Sequence, residues 1–202
     1  MFRWICLLSL CLFFNVSLGS QDKKIYILGD SLTEGYGVAS DKAFPAKLQK
    51  IINQKYPQKY RVIGAGISGS TTASGLKRLQ WIIKSKPFLV VLALGANDGL
   101  RGFPVASTKE NLGTMIEFLK NQSIHILLAG MKVPPNYGKE YSQQFDSMWR
   151  ELQHKYKVKL MPFLLKDVAG EKDMNQEDGI HPNEKGHEKI ADNLFNEMME
   201  FL

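Results

Sequence analysis

The chain has 202 residues, a formal net charge of +6 and 44% hydrophobic residues. The length suits one domain with a full hydrophobic core. Basic and acidic residues are interspersed, without aromatic residues between the basic ones, so we expect no nucleic-acid partner; weak attraction to anionic lipid head groups stays open.

The first twenty residues have the pattern of a secretory signal peptide. A positive charge at Arg3 precedes an apolar stretch, Trp4 to Phe14, and small residues follow at Ser17-Leu18-Gly19. This order is typical of a cleavable signal. The apolar stretch is shorter than the roughly 20 residues of a comfortable membrane span, so an uncleaved anchor is the second interpretation.

We therefore predict cleavage after Gly19 or Ser20 and export to the periplasm or the medium. The domain then spans residues 21–202. Both cysteines, Cys6 and Cys11, lie in the removed segment. The mature chain has no disulfide and no thiol chemistry.

After the signal, short apolar runs alternate with longer amphipathic segments. The runs predict strands at 25–28, 60–63, 88–94, 124–129 and 159–162. The amphipathic segments predict helices at 41–56, 72–84, 108–122, 141–156 and 184–202. Continuous apolar runs are typical of strands covered on both faces. The alternation predicts right-handed βαβ units and one three-layer α/β/α sandwich around a parallel sheet of about five strands.

A serine follows the first predicted strand, in Gly29-Asp30-Ser31. Ligands of open α/β sheets bind outside the carboxyl ends of the strands, so Ser31 is placed to be a nucleophile. The same residues are also an ordinary helix-start signal. The flanking sequence lacks the G-x-S-x-G elbow of α/β-hydrolases, which favours a flavodoxin-like sheet with an open site.

The second strand leads into Gly64-Ala-Gly66-Ile-Ser-Gly69, which matches G-x-G-x-x-G. A dinucleotide site also needs an acidic residue about 20 positions later, and no Asp or Glu occurs from Ser70 to Asn97. We reject nucleotide binding. The glycines are expected to permit close backbone approach and to expose amide N–H groups at a helix start.

Of the four histidines, His181 is the best candidate for a base. His125 lies in an apolar strand and is expected to be a core residue. His181 follows Asp178 by three residues in a turn that Pro182 keeps from being helical. The carboxylate can then orient the imidazole while Nε2 faces a nucleophile. The alternative is that Asp178 and His181 merely cap the final helix.

Asn97 follows the third strand in Leu-Ala-Leu-Gly-Ala-Asn-Asp. Its side-chain amide could donate to a developing oxyanion, and the Gly69 N–H could join it. The competing interpretation is an Asn that satisfies loop carbonyls.

These separated blocks resemble the SGNH hydrolases, also called the GDSL esterase/lipase family, over nearly the whole mature chain. The bacterial secreted thioesterase I, protease I and lysophospholipase subgroup is the most similar. The resemblance implies that Ser31 is the nucleophile, with His181 as base and Asp178 as its partner. It also implies an oxyanion hole of the Ser31 and Gly69 N–H groups and the Asn97 amide.

Three positions depart from the family pattern. Gly64 stands where relatives commonly have Asn, Ser70 where the subgroup has Asp, and Ala96 where Gly is frequent. None of these changes removes a catalytic group, but they put fine substrate preference in doubt.

The implied reaction is hydrolysis of carboxylic esters and thioesters through an acyl-enzyme, without metal or cofactor. Five loop residues could line an acyl groove by this resemblance, although each could equally serve loop packing: Leu100, Phe103, Pro134, Pro135 and Tyr137. The partner is a small-molecule or lipid ester, and a monomer is expected. A carbohydrate or aryl acetylesterase and a non-catalytic surface-binding module are the alternatives.

Overall fold

The computed structural model describes residues 22–202, where five parallel strands form one sheet in the order β2-β1-β3-β4-β5. The strands are β1 (Lys23–Gly29), β2 (Tyr60–Gly66), β3 (Leu89–Ala93), β4 (His125–Ala129) and β5 (Lys159–Met161). Every neighbouring pair is parallel. The predicted parallel sheet is confirmed, whereas the predicted signal segment lies outside the described residues.

Helices cover both faces of the sheet. They are α1 (Ser31–Glu34), α2 (Phe44–Lys55), α3 (Gly75–Ile82), α4 (Ala96–Leu100), α5 (Val105–Asn121), α6 (Lys139–Tyr156) and α7 (Glu184–Met198). Helices α2 and α7 pack together, and α5 packs against both α3 and α6. Right-handed crossovers put the first pair on one face and the other three on the opposite face. Within residues 22–202, none of the helices is long and apolar enough to cross a membrane.

The five long predicted helices are present, with shifted ends. Helix α2 begins only at Phe44, because Pro45 in its first turn suits a helix start. The segment predicted as one helix at 72–84 is instead a 3₁₀ turn (Thr72–Ser74), α3 and a second 3₁₀ turn (Ile83–Ser85). The sequence pattern missed the short helices α1 and α4, since one turn carries no periodicity.

The core lies on both sides of the central strand. All five residues of β3 are buried. The largest fully buried side chains include Trp149, Phe145 and Phe44. His125 does not belong to this core, so that expectation is wrong: it is exposed as the first residue of β4, where its ring contacts Phe88 and Phe201.

The topology fixes where a ligand can bind. The chain moves from β1 to β2 on one side and then returns to place β3 on the other side of β1. At such a reversal the following loops separate and leave a crevice outside the carboxyl ends of the strands. Ser31 follows β1 and Asn97 follows β3, so both lie at this crevice.

Candidate active site

Ser31 begins a helix directly after β1. Asp30 is the N-cap of α1, and its carboxylate accepts the Leu32 N–H at 3.1 Å. The turn is tight enough that a Cβ on Gly29 would lie 2.0 Å from Thr33 Oγ1. The two interpretations of this tripeptide therefore coexist, because Asp30 caps the helix while Ser31 stands at the crevice.

His181 reaches Ser31 across the fold. Its Nε2 lies 3.0 Å from Ser31 Oγ, although the two residues are 150 positions apart. Its Nδ1 lies 2.6 Å from Asp178 Oδ2. The N-cap of α7 is Asn183, whose side chain accepts the N–H groups of Lys185 and Gly186. The alternative that Asp178 and His181 cap the final helix is therefore wrong.

The environment of Asp178 keeps it ionised. Partial burial acts to raise the pKa of this carboxyl, but the N–H of His181, its ring and the N–H of Ile180 together lower it. The carboxylate then accepts the Nδ1–H of His181, which leaves Nε2 free to accept the Ser31 hydroxyl proton. The arrangement can activate a serine as a nucleophile.

Tyr36 is a site residue that the sequence reasoning missed. Its ring centroid is 4.7 Å from that of His181 at an angle of 41°. Gln176 Nε2 donates to the Tyr36 carbonyl at 2.7 Å. The aromatic ring thus covers the imidazole from the side of the α1 loop, and no local pattern signals this contact.

The three predicted oxyanion groups lie at the ends of β1, β2 and β3. Gly69 lies in the turn after β2 with φ +75°, three residues before the 3₁₀ turn rather than at a helix start. Asn97 Nδ2 donates to Ser70 O at 3.0 Å. The competing structural role of Asn97 is therefore present, and its amide keeps a second N–H for a ligand.

Arg78 holds the carboxyl ends of β1 and β2 together, and the sequence pattern did not predict this role either. Its guanidinium donates to Gly29 O at 2.9 Å, to Ser70 Oγ at 3.2 Å and to Ala65 O. Burial lowers the pKa of Arg78. A signal was available, because Arg78 falls within the otherwise apolar stripe of α3 that faces the sheet.

Asp30 is a buried carboxyl next to the serine. Only 1% of it is exposed, and its Oδ2 has no hydrogen-bond partner among residues 22–202. Burial raises the pKa of Asp30 to about 6, although the Leu32 N–H and the charges of His181 and Arg78 act in the opposite direction. Its other oxygen accepts the Leu32 N–H, and through this bond Asp30 anchors the loop at the start of α1.

The glycines of the rejected dinucleotide pattern serve packing. A Cβ on Gly66 would lie 2.1 Å from the backbone nitrogen of Glu34. Gly66 thus lets α1 lie directly on the end of β2. A Cβ on Gly64 would meet the Pro45 ring at 3.1 Å, a milder conflict.

A cavity of about 470 Å³ opens beside Ser31 and His181 and runs past the ends of β3, β4 and β5. Its apolar walls include Leu100, Met131, Val133, Pro134, Pro135 and Phe163. Three of the five predicted groove residues, Leu100, Pro134 and Pro135, are therefore at the cavity.

The other two predicted groove residues lie elsewhere. The Tyr137 hydroxyl donates to Leu100 O at 2.7 Å. Phe103 is 40% exposed, and its carbonyl accepts the Tyr141 hydroxyl. Neither lines the cavity.

In this α/β/α domain, a serine that follows the first strand lies next to an imidazole and a carboxylate. This arrangement is that of a serine hydrolase, but not of the α/β-hydrolase type. Residues 27–189 match the GDSL-like Lipase/Acylhydrolase family. The chain belongs to this family, and it is a carboxylic ester hydrolase.

Known relatives and structures are similar over most of the chain. An arylesterase of Vibrio mimicus is 40% identical over 200 residues, 98% of this chain and 100% of the relative. The thioesterase 1/protease 1/lysophospholipase L1 of Escherichia coli K12 is 37% identical over 83% of this chain and 79% of the relative. The psychrotrophic esterase EstA from Pseudoalteromonas sp., inhibited by monoethylphosphonate, superposes with a TM-score of 0.84 at 34% identity, over 89% of this chain and 98% of that one.

Proposed function

We propose that Ser31 carries the acyl group in this ester hydrolase. The observation behind the proposal is the chain of contacts from Ser31 Oγ to His181 Nε2, 3.0 Å, and from Nδ1 to Asp178, 2.6 Å. His181 takes the hydroxyl proton as Ser31 attacks the ester carbonyl. It then returns the proton to the leaving group and activates water for deacylation.

The tetrahedral intermediate needs donors for its oxyanion. We assign this role to the N–H groups of Ser31 and Gly69 and the free N–H of the Asn97 amide. All three groups follow strand ends on the two sides of the crevice. A donor of this kind is typically worth about 3 kcal/mol of transition-state stabilisation.

The substrate is an ester or thioester with an apolar acyl chain. The cavity beside Ser31 is about 470 Å³ and mostly apolar, which is more room than an acetyl group needs. Similarity to an arylesterase and to a thioesterase/lysophospholipase agrees with a broad range of leaving groups. A preference restricted to acetyl esters would contradict this substrate class and favour an acetylesterase.

A fluorophosphonate probe and an ester panel test the proposal. We expect the probe to label the wild-type protein and the Ser107→Ala control, an exposed serine on α5, but not Ser31→Ala. Ser31→Ala should also lose ester hydrolysis while its circular dichroism spectrum is unchanged. Labelling or turnover by folded Ser31→Ala would overturn the assignment, and an unlabelled wild type would favour a non-catalytic module.

Export through a cleaved signal is part of the proposal. The positive Arg3, the apolar stretch and the small residues at 17–19 support it. Intact-mass analysis of protein from the cell envelope and the medium should give a chain that starts at Ser20 or Gln21. A full-length, membrane-retained chain would instead indicate an anchor.

A monomer with weak affinity for anionic lipid completes the proposal. The formal net charge is +6 for the full chain and +5 once Arg3 is removed with the signal, and this positive charge supports the electrostatic part. Light scattering should give the mass of one chain. Binding to phosphatidylglycerol vesicles should be weak and should disappear at high salt, whereas salt-resistant binding would contradict it.

A further inference from the structure

The turn that carries Gly69 depends on its surroundings for its shape. The Ser70 N–H donates to Ile67 O at 3.1 Å, and Gly69 has φ +75°. A positive φ at the third position is typical of a type II turn and favours glycine. Glycine is also the residue with the greatest backbone freedom, so the direction of its N–H depends on what holds the neighbouring peptide groups.

Glu34 holds Ser68, the residue before Gly69, by its backbone N–H and its hydroxyl. The Ser68 N–H donates to Glu34 Oε2 at 2.7 Å, and the Ser68 hydroxyl donates to the same oxygen at 2.5 Å. These bonds lower the pKa of Glu34, so it stays ionised near neutral pH. Since Glu34 ends the helix that Ser31 begins, the contact ties the turn to the serine's own helix.

The peptide group after Gly69 is held by Arg101. Arg101 Nη2 donates to Gly69 O at 3.1 Å, and Asn97 Nδ2 donates to the next carbonyl, Ser70 O, at 3.0 Å. Asn97 and Arg101 are four positions apart, which places them on one face of α4 and its C-terminal end. A guanidinium donor makes a stronger hydrogen bond than a neutral one.

The base of the turn has separate support. Asp98, 2% exposed, accepts the Thr72 N–H at 2.9 Å and the Thr72 hydroxyl at 2.5 Å. This buried contact fixes the chain beyond Ser70. The tip of the turn is held by the side chains of Glu34 and Arg101, which lie at its two sides.

We propose that Glu34 and Arg101 are positioning residues that hold the Gly69 N–H in the direction of the oxyanion. The inference rests on the proposed function, in which Gly69 is an oxyanion donor. Such donors act mainly on the charge that develops in the transition state. A loosened turn therefore lowers kcat more than it weakens substrate binding.

Steady-state kinetics with an uncharged short-chain p-nitrophenyl ester test the positioning role of Glu34 and Arg101. With such a substrate, the loss of a charge from the protein has little effect on substrate binding. We expect Arg101→Gln and Glu34→Ala each to lower kcat about tenfold with KM within twofold of wild type, less than the 10²–10³ of removing a donor. Arg101→Lys keeps a long, charged donor and Glu34→Gln keeps an acceptor, so each should regain part of the rate. Arg150→Gln, an exposed arginine on α6, is the control.

Coupling to Gly69 separates positioning from a merely structural role. Gly69→Ala strains φ and disturbs the same N–H, so Arg101→Gln should cost less in that background than in wild type. Unchanged kcat, a change in KM alone, full additivity with Gly69→Ala, or a rate loss explained by a lower melting temperature would each overturn the inference. Ser31→Ala is measured alongside, and if it retains activity, the proposed function itself fails. If Ser31→Ala is inactive but Arg101→Gln has the kcat of wild type, only the positioning role of Glu34 and Arg101 is rejected.

Discussion

The carboxylate of Asp178 holds both the backbone and the ring of His181. One oxygen accepts the His181 N–H at 3.0 Å, and the other lies 2.6 Å from Nδ1. The first oxygen also accepts the Ile180 N–H at 3.0 Å. The acid and the base therefore form one local unit, whose orientation is set within a four-residue turn.

We expect Asp178→Asn to lower kcat by about 10⁴, as in other serine-histidine-carboxylate sites. The Asn oxygen can still accept the two backbone N–H groups, so the turn persists. Its amide would donate to Nδ1 and stabilise the tautomer with a proton on Nε2, which cannot accept the Ser31 proton. Asp146→Asn, an exposed residue on α6, is the control in ester kinetics, and an active Asp178→Asn would contradict the role.

Two glycines of one motif should respond differently to alanine. The new Cβ of Gly66→Ala would meet the Glu34 backbone at 2.1 Å, whereas that of Gly64→Ala would lie 3.1 Å from the Pro45 ring. Because backbone cannot move aside as a ring can, Gly66→Ala should lose more than about 3 kcal/mol of unfolding free energy, beyond ordinary overpacking. Gly64→Ala should lose about 1 kcal/mol. Urea unfolding measures both, and equal losses would contradict the packing explanation.

Ala169 should set the acyl length that the cavity accepts. It lies in the cavity wall beyond β5, and β5 is three strand spacings from β1, about 14 Å. Ala169→Phe should shorten this end, so the ratio of kcat/KM for long over short acyl esters should fall about tenfold, as a few lost methylene contacts imply. Ala106→Phe, on α5 and outside this cavity, should not change the ratio. An unchanged profile in Ala169→Phe would place the acyl chain elsewhere.

Two buried groups should give opposite pH dependences of stability. Burial lowers the pKa of His187 from 6.5 to about 4, with the charge of Lys47 adding to the effect. Between those values only the unfolded state binds the proton, so stability falls as pH drops from about 6.5 to 4. Burial raises the pKa of Asp30 from 3.8 to about 6, so stability falls as pH rises through that range.

Removing either group should reveal the pH dependence of stability that the other group contributes. Relative to wild type, the difference in unfolding free energy between pH 6.5 and pH 4.5 should rise by about 2 kcal/mol in Asp30→Asn and fall by a similar amount in His187→Gln. Gln retains an acceptor for the Phe44 N–H, which His187 Nδ1 accepts at 3.2 Å. Changes of the same sign in both variants would show that other groups dominate.

Much of the fold could be predicted because its signals are local. Continuous apolar runs predicted all five strands, and periodic segments predicted the long helices. Short helices such as α1 were missed, and His125 was assigned to the core because its apolar neighbours hid its place at the start of β4. A local run of apolar residues predicts that a strand is present, but it does not predict whether the first residue of the strand is exposed to solvent.

The sequence by itself determined the groups of the site that are close in the chain. Gly29-Asp30-Ser31 lies at a strand end, and Asp178 and His181 share one turn. Only the tertiary structure decided that Ser31 and His181, 150 positions apart, meet at 3.0 Å. It also decided that Arg78 donates to the carbonyls at the ends of β1 and β2, and that Arg101 donates to Gly69 O. Such contacts depend on the order of the strands and the handedness of their crossovers, which set distances between segments that no local pattern encodes.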